Sequence, residues 1–239
     1  GMGTGDLEEM CAAEGSDNVR FVVETGGTYQ WNNEYVSSDN QERFVVQNGT
    51  VTKVDEGSLS NMGLPTTLSD FLTWGVENYA SEHMGLVMWN HGGGSVTGIC
   101  FDERQDYDSL SLAELDEALY TYYEKMGRRF DFIGFDACLM GTVETANVLA
   151  TYADYMYGSE ETEPGSGWDY TAIGDFLASN PDADGAQLGK VVCDSFLAAC
   201  KAQNDDDLTT LSVIDLGKLD ALLVSFNRFA GNMYAAGKE

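Results

Sequence analysis

Residues 130–141 read FDFIGFDACLMG, and this stretch decides the expected fold class. It begins with an apolar, β-forming run and ends in a small, flexible turn around Gly141. A short and nearly continuous apolar run of this kind is typical of a strand that is buried on both faces. Residues 84–90, MGLVMWN, have the same character and predict a central strand.

Helical patterns alternate with these strands. Apolar residues recur at helical spacing over residues 66–79, and Ser111 with Glu114 forms a capping box that opens another helix. An Asn-Gly pair between two β-rich runs predicts a hairpin over residues 42–54 that projects from the main sheet. Further strands are expected at residues 18–24, 155–160 and 209–215, and further helices at residues 142–152, 186–202 and the C-terminus. This alternation predicts an α/β fold with a mostly parallel sheet, helices on both of its faces and a small β-hairpin.

The composition limits the classes of partner. The 239 residues include 40 acidic and 12 basic side chains, for a formal net charge of −28. Such a charge repels nucleic acid and anionic lipid headgroups, and no apolar run approaches the roughly 20 residues of a membrane-spanning helix. We therefore expect no nucleic acid partner and no membrane insertion, and cationic substrates or calcium are the ligands that the charge favours. The same charge is equally compatible with a general role in solubility.

His91 and Cys138 both lie where a predicted strand ends. His91 follows the strand of residues 84–90 and opens the run HGGG, and Cys138 follows the run FIGFDA. Ligands of α/β proteins bind beyond the carboxyl ends of the strands, where a thiol and an imidazole can act as nucleophile and base. The glycines after His91 allow backbone N–H groups to approach an oxyanion. Each residue alone also has a structural explanation, a small buried thiol or a strand-end imidazole, and the residues by themselves leave both interpretations open.

Two blocks, LVMWNHGGGS at residues 86–95 and FIGFDACLMGTVETA at residues 132–146, resemble the His and Cys blocks of the clostripain family of cysteine peptidases. This family is grouped with caspases, legumains and gingipains. The segments DLEEM, TGGTYQW, NMGLPTTLSDFLTWG and GSEETEPGSGWDY extend the resemblance over nearly the whole chain. The resemblance implies a caspase-like, three-layer αβα fold and one peptidase domain over residues 1–239. It also implies that a strand normally found ahead of the DLE segment is absent here and that the domain belongs to a longer chain.

The resemblance also implies site residues. It makes His91 the general acid and base, Cys138 the nucleophile, and the backbone N–H groups of Gly92 and Cys138 the oxyanion donors. The family cleaves after Arg or Lys, and its acidic specificity residue matches Asp136, which strand alternation would place on the same face as Cys138. On the residues alone, Asp136 could instead cap its strand. Further candidates for the pocket walls are Ser159, Glu160, Trp168 and Asp169.

Maturation, location and cofactor are expected from the same resemblance. Members of the family are cut after a basic residue between the His and Cys blocks, and Arg104 in the polar stretch FDERQDYDS is the most loop-like of the four basic residues there. We expect self-cleavage between Arg104 and Gln105. A secreted or cell-surface protein is expected, and the chemistry needs no cofactor. Calcium is suggested by the acidity and the family, although no calcium-binding loop motif identifies its ligands.

Three other functions are weaker alternatives. An esterase could use the HGGG run, but the sequence lacks the G-x-S-x-G motif of that class. A zinc hydrolase is disfavoured because His83 and His91 are eight residues apart and there is no H-E-x-x-H motif. An inactive peptidase fold that serves as a binding or scaffolding module remains the alternative from outside the enzymes.

Overall fold

The computed structural model describes residues 2–205 and 209–237. Its helices are α1 (Met2–Ala12), α2 (Pro65–Tyr79), α3 (Gly94–Thr97), α4 (Leu112–Met126), α5 (Val143–Leu149), α6 (Tyr170–Ser179), α7 (Gly185–Gln203) and α8 (Leu219–Ala236), with a 3-10 turn at Leu216–Lys218. Its strands are β1 (Phe21–Thr25), β2 (Asn40–Gln47), β3 (Thr50–Ser58), β4 (Gly85–Trp89), β5 (Ile99–Asp102), β6 (Asp108–Leu110), β7 (Phe130–Asp136), β8 (Ala153–Gly158) and β9 (Ser212–Asp215).

The main sheet has four strands in the order β4-β7-β8-β9. β4, β7 and β8 are parallel, and β9 is antiparallel to β8, so the predicted mostly parallel sheet is confirmed. The prediction that residues 84–90 form a central strand is wrong, since β4 lies at one end of this order. β4 is nevertheless apolar on both faces because a helical layer covers each face: Leu86 and Met88 face one layer and Val87 faces the other.

Helices cover the sheet on both sides, as the α/β pattern predicts. α2, α4 and α5 pack on one face, where Ile133 and Phe135 of β7 are fully buried. α6 and α7 pack on the other face, where Phe132 stacks on Tyr157 with ring centroids 4.5 Å apart. The result is the expected three-layer αβα arrangement. No helix within residues 2–205 and 209–237 is long and apolar enough to cross a membrane.

The predicted hairpin is β2 and β3, but it does not project from the main sheet. β2 pairs with β1 on one side and β3 on the other, forming a separate antiparallel sheet of three strands. Phe44 and Val46 of β2 pack with Leu7 of α1 in a small core of their own. β1 is therefore mostly half-buried rather than fully buried, because only one face of this sheet is covered.

The pattern analysis missed two helices that border the site. α1 contains Gly3 and Gly5, which are poor helix formers, and it is held by tertiary packing through the fully buried side chain of Leu7. α6 begins after Asp169, whose carboxylate accepts the backbone N–H of Ala172 at 2.9 Å. An aspartate followed by an apolar run is an N-cap signal, so α6 could have been found from the sequence.

Replacing Leu119 by alanine tests the core between α4 and the sheet. Leu119 is 0% exposed, so Leu119→Ala should lower the free energy of unfolding by about 2–5 kcal/mol. The control is Tyr120→Ala on the same helix, which should change it by less than about 1 kcal/mol because that side chain is 53% exposed. Urea unfolding followed by circular dichroism measures both. Equal destabilisation by the two changes would contradict the predicted helix face.

Candidate active site

The pairing of β4 with β7 sets the positions of His91 and Cys138. The two strands run parallel, and their last paired residues are Trp89 and Asp136. His91 and Cys138 each follow two residues later, at the same edge of the sheet. The backbone of Gly92 touches this edge, because a Cβ added there would lie far inside van der Waals contact with the carbonyl oxygen of Cys138. The predicted convergence of the two strand ends is thus present in the backbone.

Local turn geometry leads the chain from β4 into the glycine run. Asn90 has φ of +127°, an unusual conformation for a residue with a side chain, and its Oδ1 accepts the backbone N–H of His91. The imidazole of His91 is exposed to solvent. The backbone N–H of Gly93 donates to the carbonyl of Gly98 at 2.8 Å, so this bond to the following strand is made by Gly93 and not by Gly92.

Cys138 lies under a loop that follows β8. Its thiol is half-buried, and the backbone N–H of Glu163 donates to Sγ at 3.2 Å. The next residue, Leu139, has φ of +65° and donates its N–H to the carbonyl of Glu161 at 3.0 Å. The sulfur atom therefore has a fixed N–H donor, which stabilises a thiolate more than a thiol.

Asp136 faces the continuation of the same loop. Its Oδ2 accepts the hydroxyl of Tyr170 at 2.9 Å and the backbone N–H of Trp168 at 3.3 Å. Burial raises the pKa of Asp136 to about 6, and the charge of Glu9 adds to the rise, whereas the two hydrogen bonds oppose it. The carboxylate thus binds groups from another segment instead of merely ending its own strand. Asp136 and Cys138 contact neighbouring parts of one loop, residues 163–170.

The structure gives Ser159 and Glu160 contacts away from the thiol. The hydroxyl of Ser159 is buried, donates to the carbonyl of Glu161 at 2.8 Å and lies 2.8 Å from the hydroxyl of Thr210. The exposed Glu160 accepts a hydrogen bond from the hydroxyl of Ser212 at 2.7 Å. These bonds fold the loop and join it to β9, so both side chains have a structural role.

Trp168 and Asp169 also have structural contacts. Trp168 is 1% exposed, and its ring packs against Tyr157, while its backbone holds Asp136. Asp169 is the N-cap of α6. Their expected place in the pocket walls is thus limited to the backbone of Trp168 beside Asp136.

Sequence reasoning missed two acidic residues beside Asp136. Asp6 of α1 is 5% exposed, and burial, then the charges of Asp136 and Glu9, raise its pKa to about 7. Burial and the charge of Asp136 raise the pKa of Glu163 to about 9. The segments DLEEM and GSEETEPGSGWDY contain these residues, but neither segment shows which of its acids are buried.

Arg104 lies in the tight turn between β5 and β6. Its guanidinium donates to the carbonyl of Ser38 at 2.6 Å and to Asp39 at 3.1 Å, and it lies over the ring of Tyr29. The following residue, Gln105, is exposed. The turn is therefore accessible on one side and held by its arginine on the other.

Metal ligation was assessed among residues 2–205 and 209–237. In that part of the chain, no group of three or more His, Cys, Asp or Glu side chains is arranged to hold a metal ion. The carboxyls of Asp6, Asp136 and Glu163 do not fit such a site either, since the charge of Asp136 shifts the other two towards the neutral form.

Comparison with known proteins places this geometry in context. The model of the clostripain family, Peptidase C11, matches residues 3–239. Clostripain of Hathewaya histolytica is 32% identical over 165 residues, which are 63% of this chain and 27% of that protein. A secreted C11 cysteine protease from Bacteroides thetaiotaomicron, solved with an irreversible peptide inhibitor, is similar with a TM-score of 0.74 and 22% identity over 92% of this chain and 63% of the other. An inactive zymogen C11 protease from Parabacteroides distasonis has a TM-score of 0.67 and 22% identity over 92% of this chain and 58% of the other. The two structures share the fold, and the chain spans about a quarter of clostripain and about three fifths of each structure.

Replacing Gly92 by alanine tests the close approach of the two strand ends. The added methyl group would collide with the backbone of Cys138, so Gly92→Ala should lower the free energy of unfolding by about 1–3 kcal/mol. Gly165→Ala is the control, since nothing lies within 4 Å of a Cβ at that position. Urea unfolding measures the two variants. A Gly92→Ala protein as stable as the control would show that the strand ends are farther apart than described.

Proposed function

The chain belongs to the clostripain family, and from this premise we propose that it is a cysteine endopeptidase that cleaves after Arg or Lys. The observation that supports the proposal most directly is the parallel register of β4 and β7, which brings the segments of His91 and Cys138 to one edge of the sheet. Asp136, an acidic residue on the same strand as the thiol, lies buried beside them.

In the proposed reaction, His91 and Cys138 act as a catalytic pair. His91 accepts the thiol proton of Cys138, and the thiolate attacks the carbonyl carbon of the scissile peptide. The backbone N–H groups of Gly92 and Cys138 stabilise the oxyanion. His91 then gives the proton to the leaving amine, and a thioester remains. Water, deprotonated by His91, hydrolyses the thioester and regenerates the thiol.

Asp136 is proposed to select the basic residue at the cleaved position. A buried carboxylate pairs with a guanidinium or an ammonium group by charge-assisted hydrogen bonds. Its pKa of about 6 means that it is mostly charged at neutral pH, and a cation beside it would lower that pKa further. The contact of Asp136 with the loop that also holds Cys138 supports this role.

Maturation by cleavage at Arg104 is part of the proposal. The exposed turn at Gln105 and the zymogen form of the Parabacteroides relative support it. Because Ser38 and Asp39 hold the side chain of Arg104, the turn must open before its arginine can enter a second active site. Cleavage between molecules is therefore expected to be slow until the turn opens.

Location and calcium dependence are proposed on weaker grounds. The secreted Bacteroides relative supports a secreted or cell-surface protein. The net charge of −28 supports an effect of calcium on activity, and no catalytic step is assigned to that ion. Assays with and without a chelator test the effect of calcium.

Cleavage of a fluorogenic peptide ending in Arg or Lys tests the proposed activity. Cys138→Ala and His91→Ala should each lower kcat/KM by at least about 10³-fold, because the nucleophile or its base is lost. Cys193→Ala removes another half-buried thiol and should retain activity. If the folded wild-type chain cleaves no such peptide, the alternative of a binding module is favoured.

Mass spectrometry tests cleavage at Arg104. The wild-type chain should yield two fragments that separate between Arg104 and Gln105, whereas Arg104→Ala and Cys138→Ala should stay intact. Lys125→Ala is the control, since this exposed residue also lies between the His and Cys blocks. An active chain that stays intact would show that processing there is not required.

A further inference from the structure

Three carboxyl groups meet next to the thiol. Asp136 ends β7, Asp6 comes from α1, and Glu163 comes from the loop whose backbone N–H contacts Cys138. The hydroxyl of Tyr170 donates to Asp136, and burial, then the charges of Asp136, Asp6 and Glu163, raises the pKa of Tyr170. One buried hydroxyl therefore lies within the electrostatic reach of all three carboxyls.

Two of these groups have buried oxygen atoms without a partner. Oδ2 of Asp6 and both carboxyl oxygens of Glu163 are inaccessible to solvent and accept no hydrogen bond. Asp6 is at the same time 5% exposed as a residue. A buried acceptor that is left unpaired costs about 1–3 kcal/mol, so three such atoms at one place are not explained by folding alone.

No cation of the protein balances this charge. Within residues 2–205 and 209–237, none of the ion pairs involves Asp6, Asp136 or Glu163. Glu9, which is also close, is already used, since it accepts the backbone N–H of Tyr170 at 3.0 Å. The unpaired oxygens thus belong to groups whose other neighbours are acidic, aromatic or the thiol itself.

Building on the proposed peptidase activity, we propose that Asp6 and Glu163 are two further specificity-determining residues, which together with Asp136 form the anionic end of the pocket for the basic side chain. A guanidinium presents five N–H donors and an ammonium three, so either cation can satisfy the unpaired oxygens. A neutral side chain would leave them unpaired. Discrimination against neutral residues therefore comes from three carboxyl groups and not from Asp136 alone.

Binding of the cation should expel protons. The groups that face Asp6 are Asp136, Glu9 and Trp89, and the groups that face Glu163 are Asp136 and Cys138, with Tyr170 between the two. With a pKa of about 9 for Glu163 and about 7 for Asp6, the empty pocket retains protons at pH 7. An entering cation favours the ionised carboxylates, lowers both pKa values and releases protons to the buffer.

Calorimetry with benzamidine, a small planar amidinium cation, tests the pocket without turnover. The Cys138→Ala chain should bind benzamidine at pH 7 with release of about one proton, measured in buffers of different ionisation enthalpy. Adding Asp6→Asn or Glu163→Gln should each weaken binding at least about tenfold and reduce the proton release. Glu8→Gln is the matched control, because it removes one charge from the exposed side of α1 and should change neither quantity.

Kinetics separate specificity from folding. In the wild-type background, Asp6→Asn and Glu163→Gln should raise KM for an arginyl peptide about tenfold or more and change kcat less than about threefold. The preference for arginyl over citrullyl peptide, its neutral isostere, should fall by the same factor as kcat/KM. Glu163→Asp retains the charge and should recover part of the preference, which a general loss of stability would not produce.

The outcomes distinguish this proposal from the proposed function. If the wild type cleaves arginyl peptides but Asp6→Asn and Glu163→Gln keep wild-type benzamidine affinity, proton release and discrimination, then this proposal is wrong and the peptidase stands. If the folded chain binds benzamidine as expected but cleaves nothing, the three carboxyls form a cation pocket and the peptidase activity is rejected. If it neither binds nor cleaves, both proposals are wrong.

Discussion

The parallel pairing of β4 with β7 is the constraint on which the rest of the site depends. Its register places Trp89 opposite Asp136, so the residues that follow the two strands emerge side by side. Gly92 allows the two strand ends to approach more closely than any side chain would permit. The helical layers on both faces of the sheet stabilise this pairing through apolar burial, and they take no direct part in the chemistry.

The loop after β8 completes the site from the other side. Its backbone N–H groups hold the thiol of Cys138 and the carboxylate of Asp136, and the side chain of Glu163 lies between them and the core. The acidic residues there reduce stability as the pH rises. A carboxyl whose folded pKa exceeds its unfolded value keeps its proton in the folded state, so stability falls between the two values. For Asp6 that window extends from 3.8 to about 7, and for Glu163 from 4.5 to about 9.

Much of the fold could be predicted from the sequence where one period dominates. The apolar runs at residues 84–90 and 130–141 identified β4 and β7, and the capping box at Ser111 marked the start of α4. Strand order could not be read, because β4 at the edge of the sheet is covered on both faces like a central strand. α1 was missed because its glycines oppose helix formation and tertiary contacts of Leu7 overcome them. The positions of His91 and Cys138 followed from strand ends, whereas Asp6 and Glu163 become neighbours of Asp136 only through packing of distant segments.

The most direct test of the central claim is the rate at which an arginine-based irreversible ketone inhibitor alkylates the cysteines, with the labelled residue located by peptide mapping. The claim is that the segments joined by β4 and β7 make one reactive centre from His91 and Cys138. It predicts that Cys138 is labelled in preference to the other four cysteines and that His91→Ala slows the labelling by at least about 10²-fold. Equal labelling of several cysteines, or a rate unchanged by His91→Ala, would contradict it.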